Sequence, residues 1–368
     1  MFERRLFFHI DWALLTALLT IAGIGIAMIY STTYVQTPDG GHASGLVRTQ
    51  ITALVLGLIA LIVFLAIDYR MLAEHSLFLY LGLAGLLLFV LFGGSTQFGA
   101  QRWIAIGPLN LQPSEFARLT VALILAMFFA ENRRGARNTS DLLIGGFFTL
   151  VPVLLIAKQP DLGTAVTLLP VFFGVAYLAG LRMRLLAVIA LAGILVAPLA
   201  WTFALKEYQK SRIETFFDPS QDPRGAGYQT IQARITVGSG GLTGKGFMQG
   251  TQNQYKFLPV AHNDFIFSVL AEEQGFLGVL AALGLYLFVI IRSLEAARLS
   301  KDRLGAYLVG GIIAGFSFQV IYNVAMSVGL APVKGITLPL MSYGGSSLIA
   351  TMATFGLILN VRMRRFTN

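Results

Sequence analysis

Cysteine is absent from the 368-residue chain, which excludes disulfides and thiolate metal centres. Charge is scarce too: Asp, Glu, Lys and Arg make up 12% of the residues, where a soluble globular domain carries about a quarter. No small-residue cleavage site follows the first apolar run, which continues past Tyr30 and reads as a retained span and not a removed signal peptide. An obvious internal repeat is also missing. What is present is apolar: 56% of residues are hydrophobic and the mean hydropathy is +0.72. These features exclude an ordinary soluble domain and predict a polytopic membrane protein.

Ten apolar runs, at 12–35, 48–67, 76–93, 114–130, 141–157, 162–180, 185–205, 265–291, 304–328 and 343–361, have the length and composition of membrane spans. The expected fold is therefore all-α: ten transmembrane helices in one domain, 1–368, with a large extracytoplasmic loop, 206–263, between helices 7 and 8. The net charge of +9 does not indicate nucleic acid, because of where the basic residues lie. Arg4, Arg5, Arg70, Arg133, Arg134, Arg137, Arg182, Arg184, Arg292, Arg298, Lys301, Arg303, Arg362, Arg364 and Arg365 all fall on one side if the N-terminus is inside. By the positive-inside rule both termini are cytoplasmic and the basicity is topogenic.

This orientation gathers the polar motifs on the outer face. Asp264 stands where the long polar loop meets an apolar run, and Glu272 and Glu273 lie about 12 Å further along the same helix. Charges at that depth cost roughly 2.5–3.5 kcal/mol on insertion scales and should face protein or water. Glu115 is followed at i+3 by Arg118, a spacing that favours an ion pair; it reads equally as a site element or as a pin between helices. Arg102 and Trp103 precede it, and each has an alternative interfacial role, with lipid phosphate for the Arg and as an anchor for the Trp. Lys158 and Asp161 flank Pro160, so Lys158 is placed either to bind phosphate or to pair with Asp161.

Two further stretches stand out. Residues 238–246, GSGGLTGKG, look like a phosphate loop but have Ser239 and Gly246 where a Walker A motif needs Gly and Ser or Thr. An ordered turn and a phosphate contact through Lys245 and the backbone amides both remain open. Upstream, Tyr228, Ile231 and Ile235 share one face of a short helix read as lying on the membrane surface. From Asn323 to Ser347 the spans are interrupted by Pro332, Pro339, Gly344 and Gly345; broken backbone at membrane depth must be buried in protein or line a cavity. Lys334, Ser342, Ser346 and Ser347 are donors available there.

The spacing from Asn323 through Gly329, Pro332, Gly335 and Ser342-Tyr343-Gly344-Gly345-Ser346-Ser347 resembles the signature of the SEDS family, which contains RodA, FtsW and SpoVE. The resemblance extends over RWI at 102–104, QPSEFARL at 112–119, QPDLGTA at 159–165 and DPRGAGYQTIQARITVGSGGLTGKGFMQGTQ at 222–252. The GTQ, FLP and HNDFIF segments and the short termini resemble the RodA group most. Departures are Val260 and Asn263, where the family commonly has Glu and Thr, and Arg118, where Lys is frequent.

The resemblance implies a peptidoglycan glycosyltransferase that polymerises lipid II at the outer face of the bacterial cytoplasmic (inner) membrane during cell elongation, working with a class B penicillin-binding protein and a divalent cation, Mg or Mn. It carries the family's essential acid onto Asp264, which is also a candidate metal ligand, and the second acid onto Glu115. Candidate substrate-binding groups are Arg102, Trp103, Lys158, Lys245, Lys334 and Ser346, with Glu115 and Arg118 as the ordering pair. Glu272 and Glu273 read as structural. The competing class is a lipid II flippase or another lipid-linked transporter, since intramembrane acids and broken helices also mark transport paths.

Overall fold

The computed structural model describes residues 9–366 except 35–43, 98–99, 107–108, 133–135, 137–138, 189–190, 192–194, 196–201, 203–206, 223–224 and 256. Its helices are α1 Trp12–Thr33, α2 Gly45–Ala66, α3 Ser76–Gly93, α4 Ala117–Glu131, α5 Thr139–Lys158, α6 Leu162–Leu178, α7 Glu207–Phe217, α8 Ala226–Ser239, α9 Ile266–Arg298, α10 Arg303–Ser327 and α11 Gly345–Met363. Among the described residues eight helices are long and apolar enough to cross a membrane, and α6 is apolar over a shorter length. The seventh apolar run, 185–205, lies mostly outside the described residues, so the described residues show eight helices of spanning length and one shorter apolar helix at nine of the ten expected positions.

Helix starts follow local chemistry. Asp11, Asp161 and Asp302 each accept a hydrogen bond from a first-turn amide, of Leu14, Thr164 and Gly305, which satisfies donors left open at a helix N-terminus. The bundle is arranged around α11, whose span is 89% buried against 28% for α2. It packs on α2, while α10 packs on α4 and α6, and α9 packs on α10 and α1. Small residues permit this closeness: a Cβ on Gly356 of α11 would stand 2.5 Å from the Leu61 carbonyl of α2.

Among the described residues the fold departs from all-α in one place. Three strands, β1 Ser95–Gln97, β2 Ala100–Ile106 and β3 Leu109–Leu111, form an antiparallel sheet in that order. Ser95 pairs with Trp103, and Ile104 with Leu111. The strands are too short to span, and their pairing satisfies the backbone groups that face one another.

Helix α8 differs from a plain surface helix. Its small residues Thr230, Ala233 and Thr236 are buried, on a helix that packs against α9, whereas Ile231 and Ile235 are exposed. The apolar face read from the sequence therefore points away from the bundle.

Both described termini sit at one end of the bundle, tied by polar groups. Arg362 Nη1 is 2.6 Å from Asp11 Oδ2, and Arg292 Nε is 3.0 Å from the same oxygen. Asn360 donates to the carbonyls of Leu65 and Ile67 at 2.6 and 2.8 Å, and Asp302 Oδ2 accepts from Tyr69 Oη and Arg70 at 2.8 Å each. The candidate residues gather at the opposite end.

Candidate functional site

Asp264 lies in the turn that leads into α9, half-buried. Its main-chain carbonyl accepts from Asn323 Nδ2 at 2.9 Å, and its carboxylate lies over Gly335, where an added Cβ would be 3.7 Å from Asp264 Oδ2. Gly335 has φ +69°, a conformation glycine adopts at no steric cost. Val260, four residues upstream, also has a positive φ of 53°; for a β-branched residue this is strained, and such strain concentrates at functional turns. The SYGG segment braces the same turn: Tyr343 N donates to the His262 carbonyl at 2.9 Å, and the two rings meet edge-on at 5.7 Å. Burial lowers the His262 pKa.

Glu115 is nearly buried, at 9% exposure, and Arg118 Nη2 lies 2.6 Å from its Oε2. Arg118 Nη1 donates to Gln319 Oε1 of α10. A polar cavity of about 10 Å³ is lined by Glu115, Arg118, Thr164, Thr167, Gln319, Gly335, Ile336 and Thr337, the size of a single water site. Gly335 thus borders both the cavity lined by Glu115 and the Asp264 carboxylate. A larger depression of about 470 Å³ lies at the other end, among Arg70, Glu74, Met127, Asp302 and Arg303, and contains none of these groups.

The candidate cations divide. Arg102 donates to the carbonyls of Gln159, at 2.9 Å, and Pro160, and its Nη1 is 3.9 Å from Asp161 Oδ1. Gln112 Nε2 also reaches Asp161, at 2.9 Å, so the acid of the 158–161 turn is met by Arg102 and Gln112. Trp103 is half-buried in β2 beside Arg102, and Lys158 is exposed. Lys334 is half-buried next to Gly335. Ser346 Oγ accepts from Gln112 N at 2.9 Å and donates to the Asn110 carbonyl at 2.8 Å, tying the sheet to the start of α11.

Lys245 belongs elsewhere. Helix α9 is broken at Gly275, φ +66°, and the glycine-rich loop fills the break. Lys245 N and Gly246 N donate to the carbonyls of Glu272 and Glu273, at 3.0 Å each, while Phe276 N and Leu277 N donate to Gly241 and Leu242 at 2.9 and 3.1 Å. The loop amides of Lys245 and Gly246 are therefore used by the helix, and the ordered-turn alternative describes this run. Lys245 Nζ lies 2.6 Å from Glu272 Oε1, with Thr251 Oγ1 and Ser239 Oγ at 2.7 and 3.0 Å. Glu273 accepts from Ser31 of α1. Both acids are buried and held by partners.

Sequence reasoning did not single out Gln319 as a site neighbour or assign Asn323 a contact. Their signal was visible: two amide side chains at i, i+4 within an apolar span, where polar residues turn inward. For a divalent cation, no three His, Asp or Glu side chains converge among the described residues. The donor set fits the mode in which one carboxylate is completed by phosphate oxygens and water, as Mg²⁺ commonly binds.

The family model described as Cell cycle protein, for FtsW, RodA and SpoVE, matches residues 11–366. The chain is 37% identical over 359 residues to the peptidoglycan glycosyltransferase MrdB of Escherichia coli K12, covering 97% of this chain and 94% of the relative. It is 30% identical over 426 residues to the peptidoglycan glycosyltransferase RodA of Treponema pallidum, covering 96% and 98%. A structure described as coordinating polymerization and crosslinking in a peptidoglycan synthase complex matches with TM-score 0.83 and 36% identity, covering 98% of this chain and 99% of that one. The Thermus thermophilus RodA crystal structure matches with TM-score 0.72 and 31% identity, covering 98% of each. With the match running over almost its whole length, the chain belongs to the SEDS family of FtsW, RodA and SpoVE proteins, on its RodA-like side.

Proposed function

We propose that this protein is a peptidoglycan glycosyltransferase that polymerises lipid II, and that Asp264 is its general base. The observation that carries the reading is the position of Gly335, which lines the cavity with Glu115 and Arg118 and lies under the Asp264 carboxylate. In the reaction, an acceptor sugar hydroxyl bonds to the donor's anomeric carbon as the bond from that carbon to pyrophosphate breaks. Asp264 accepts the hydroxyl proton, a role worth about 10²–10⁴-fold in rate. The departing pyrophosphate gains charge, and Lys334, Arg102 and Lys158 are the nearby cations to meet it. When bound, a divalent cation on Asp264 would supply further charge neutralisation. Glu115 with Arg118 orders the cavity wall.

This places the Asp264 end at the outer face of the bacterial inner membrane and both termini in the cytoplasm. A class B penicillin-binding protein is the expected partner, and the cellular role is elongation and maintenance of cell shape. The transport alternative is disfavoured by the terminal end of the bundle, where Asp11, Arg362, Asn360 and Asp302 staple the spans together. Its best support, the break in α9, is filled by the glycine loop. Purified protein in detergent, given lipid II, divalent cation and the partner with its transpeptidase blocked, should produce glycan chains. Lipid II movement between vesicle leaflets with no glycan in either assay would favour the transporter.

A further inference from the structure

Helix α10 carries two buried amides one turn apart, Gln319 at 3% exposure and Asn323 at 0%. An amide in a membrane-spanning segment is costly unless hydrogen-bonded, and here the bonds converge on the site. Asn323 uses both amide hydrogens: one goes to the Asp264 carbonyl at 2.9 Å, the other to the Ile336 carbonyl at 2.7 Å. Gln319 Nε2 donates to the Thr337 carbonyl at 3.0 Å, and its Oε1 accepts from Arg118, which holds Glu115.

The segment these amides grip has no helix or strand of its own from 332 to 338. Its carbonyls must find partners outside the segment, and α10 supplies them at Ile336 and Thr337. Gly335, beneath the Asp264 carboxylate, lies just before those two anchors. One face of α10 thus connects the backbone of Asp264, the loop under its carboxylate and the Arg118–Glu115 pair.

We propose that Gln319 and Asn323 are positioning residues that set the separation of Asp264 and Glu115 through the 332–338 loop. They act through Asp264, Arg118 and the loop backbone, not by touching the reacting atoms. The inference rests on the polymerase reading, and its test separates the two.

Asn323→Leu and Gln319→Leu remove the hydrogen bonds while keeping similar volume. Lipid II polymerisation per folded molecule should lose about tenfold or more in kcat, with KM changed by less than about threefold, because misplacement of about 1 Å can cost up to 10²-fold. Hydrogen exchange followed by mass spectrometry should show faster exchange at 331–338 and 261–266 and no change in α11. Ile321→Leu, on the exposed side of the same helix, should alter neither readout. If Asn323→Leu does not fold, Gln319→Leu carries the test. Unchanged exchange overturns the proposal, as does faster exchange with native kcat. A wild type that makes no glycan overturns the functional reading instead, and the exchange comparison then decides whether the amides hold the loop.

Discussion

Lys245 meets Glu272 twice, main chain to main chain at 3.0 Å and Nζ to Oε1 at 2.6 Å. The polar loop is thereby locked into the break of α9, with the Glu272 carboxylate fully buried and the Lys245 side chain 28% exposed. Removing the ammonium strands a buried charge, which costs about 3–5 kcal/mol for fully buried pairs and less where solvent reaches the cation. Lys245→Met should lower the thermal midpoint in detergent more than Glu272→Gln, since Gln still accepts from Gln252 N and Thr251. Equal midpoints for the two variants would show that the pair does not hold the loop.

The same lock depends on Gly275. An added Cβ there would stand 2.2 Å from Gly244 N, and its positive φ with extended ψ is a glycine conformation that costs another residue about 1–3 kcal/mol before any clash. Gly275→Ala should loosen the loop and expose 238–250 to protease in the folded protein. Native protease resistance would mean that the loop does not depend on this junction.

Asp264→Asn is isosteric and sits at a half-buried turn. It should cut lipid II polymerisation by about 10²–10⁴-fold with the thermal midpoint retained. Native turnover by the purified variant would remove Asp264 from the mechanism.

Glu115 and Arg118 share a buried contact, so their substitutions should not add. A double-mutant cycle on stability, Glu115→Gln with Arg118→Met, should give a coupling energy of about 0.5–3 kcal/mol. Additive effects would reduce the pair to a coincidence of spacing.

The pH dependence has a definite sign at His262. Burial depresses its pKa in the folded state below the ordinary value, near 6.5 in the unfolded chain. The unfolded state therefore binds the proton more readily, and the stability held above about pH 6.5 is lost as pH falls toward the folded-state value. His262→Phe should flatten this acid-side loss in thermal midpoint. An equally steep loss in the variant would assign it to other groups.

Hydropathy alone determined that this chain is polytopic and where its eight described spanning helices run, because a helix in lipid satisfies its own backbone and needs only a long apolar segment. Local spacing also placed Glu115 and Arg118 within reach, since i and i+3 are neighbours on any helix. Contacts between distant segments had no such local code. Arg102 is bonded to carbonyls 57 and 58 residues away, Lys245 to an acid 27 away, and Asn323 to a carbonyl 59 away. Only packing of the helices decided that Lys245 serves a broken span, that Arg102 clamps a turn, and that two amides of α10 reach the main chain of Asp264 and the Arg118 partner of Glu115. The physical reason is that buried polar groups must be paired, while the sequence names the groups that need partners without saying which distant segment brings them.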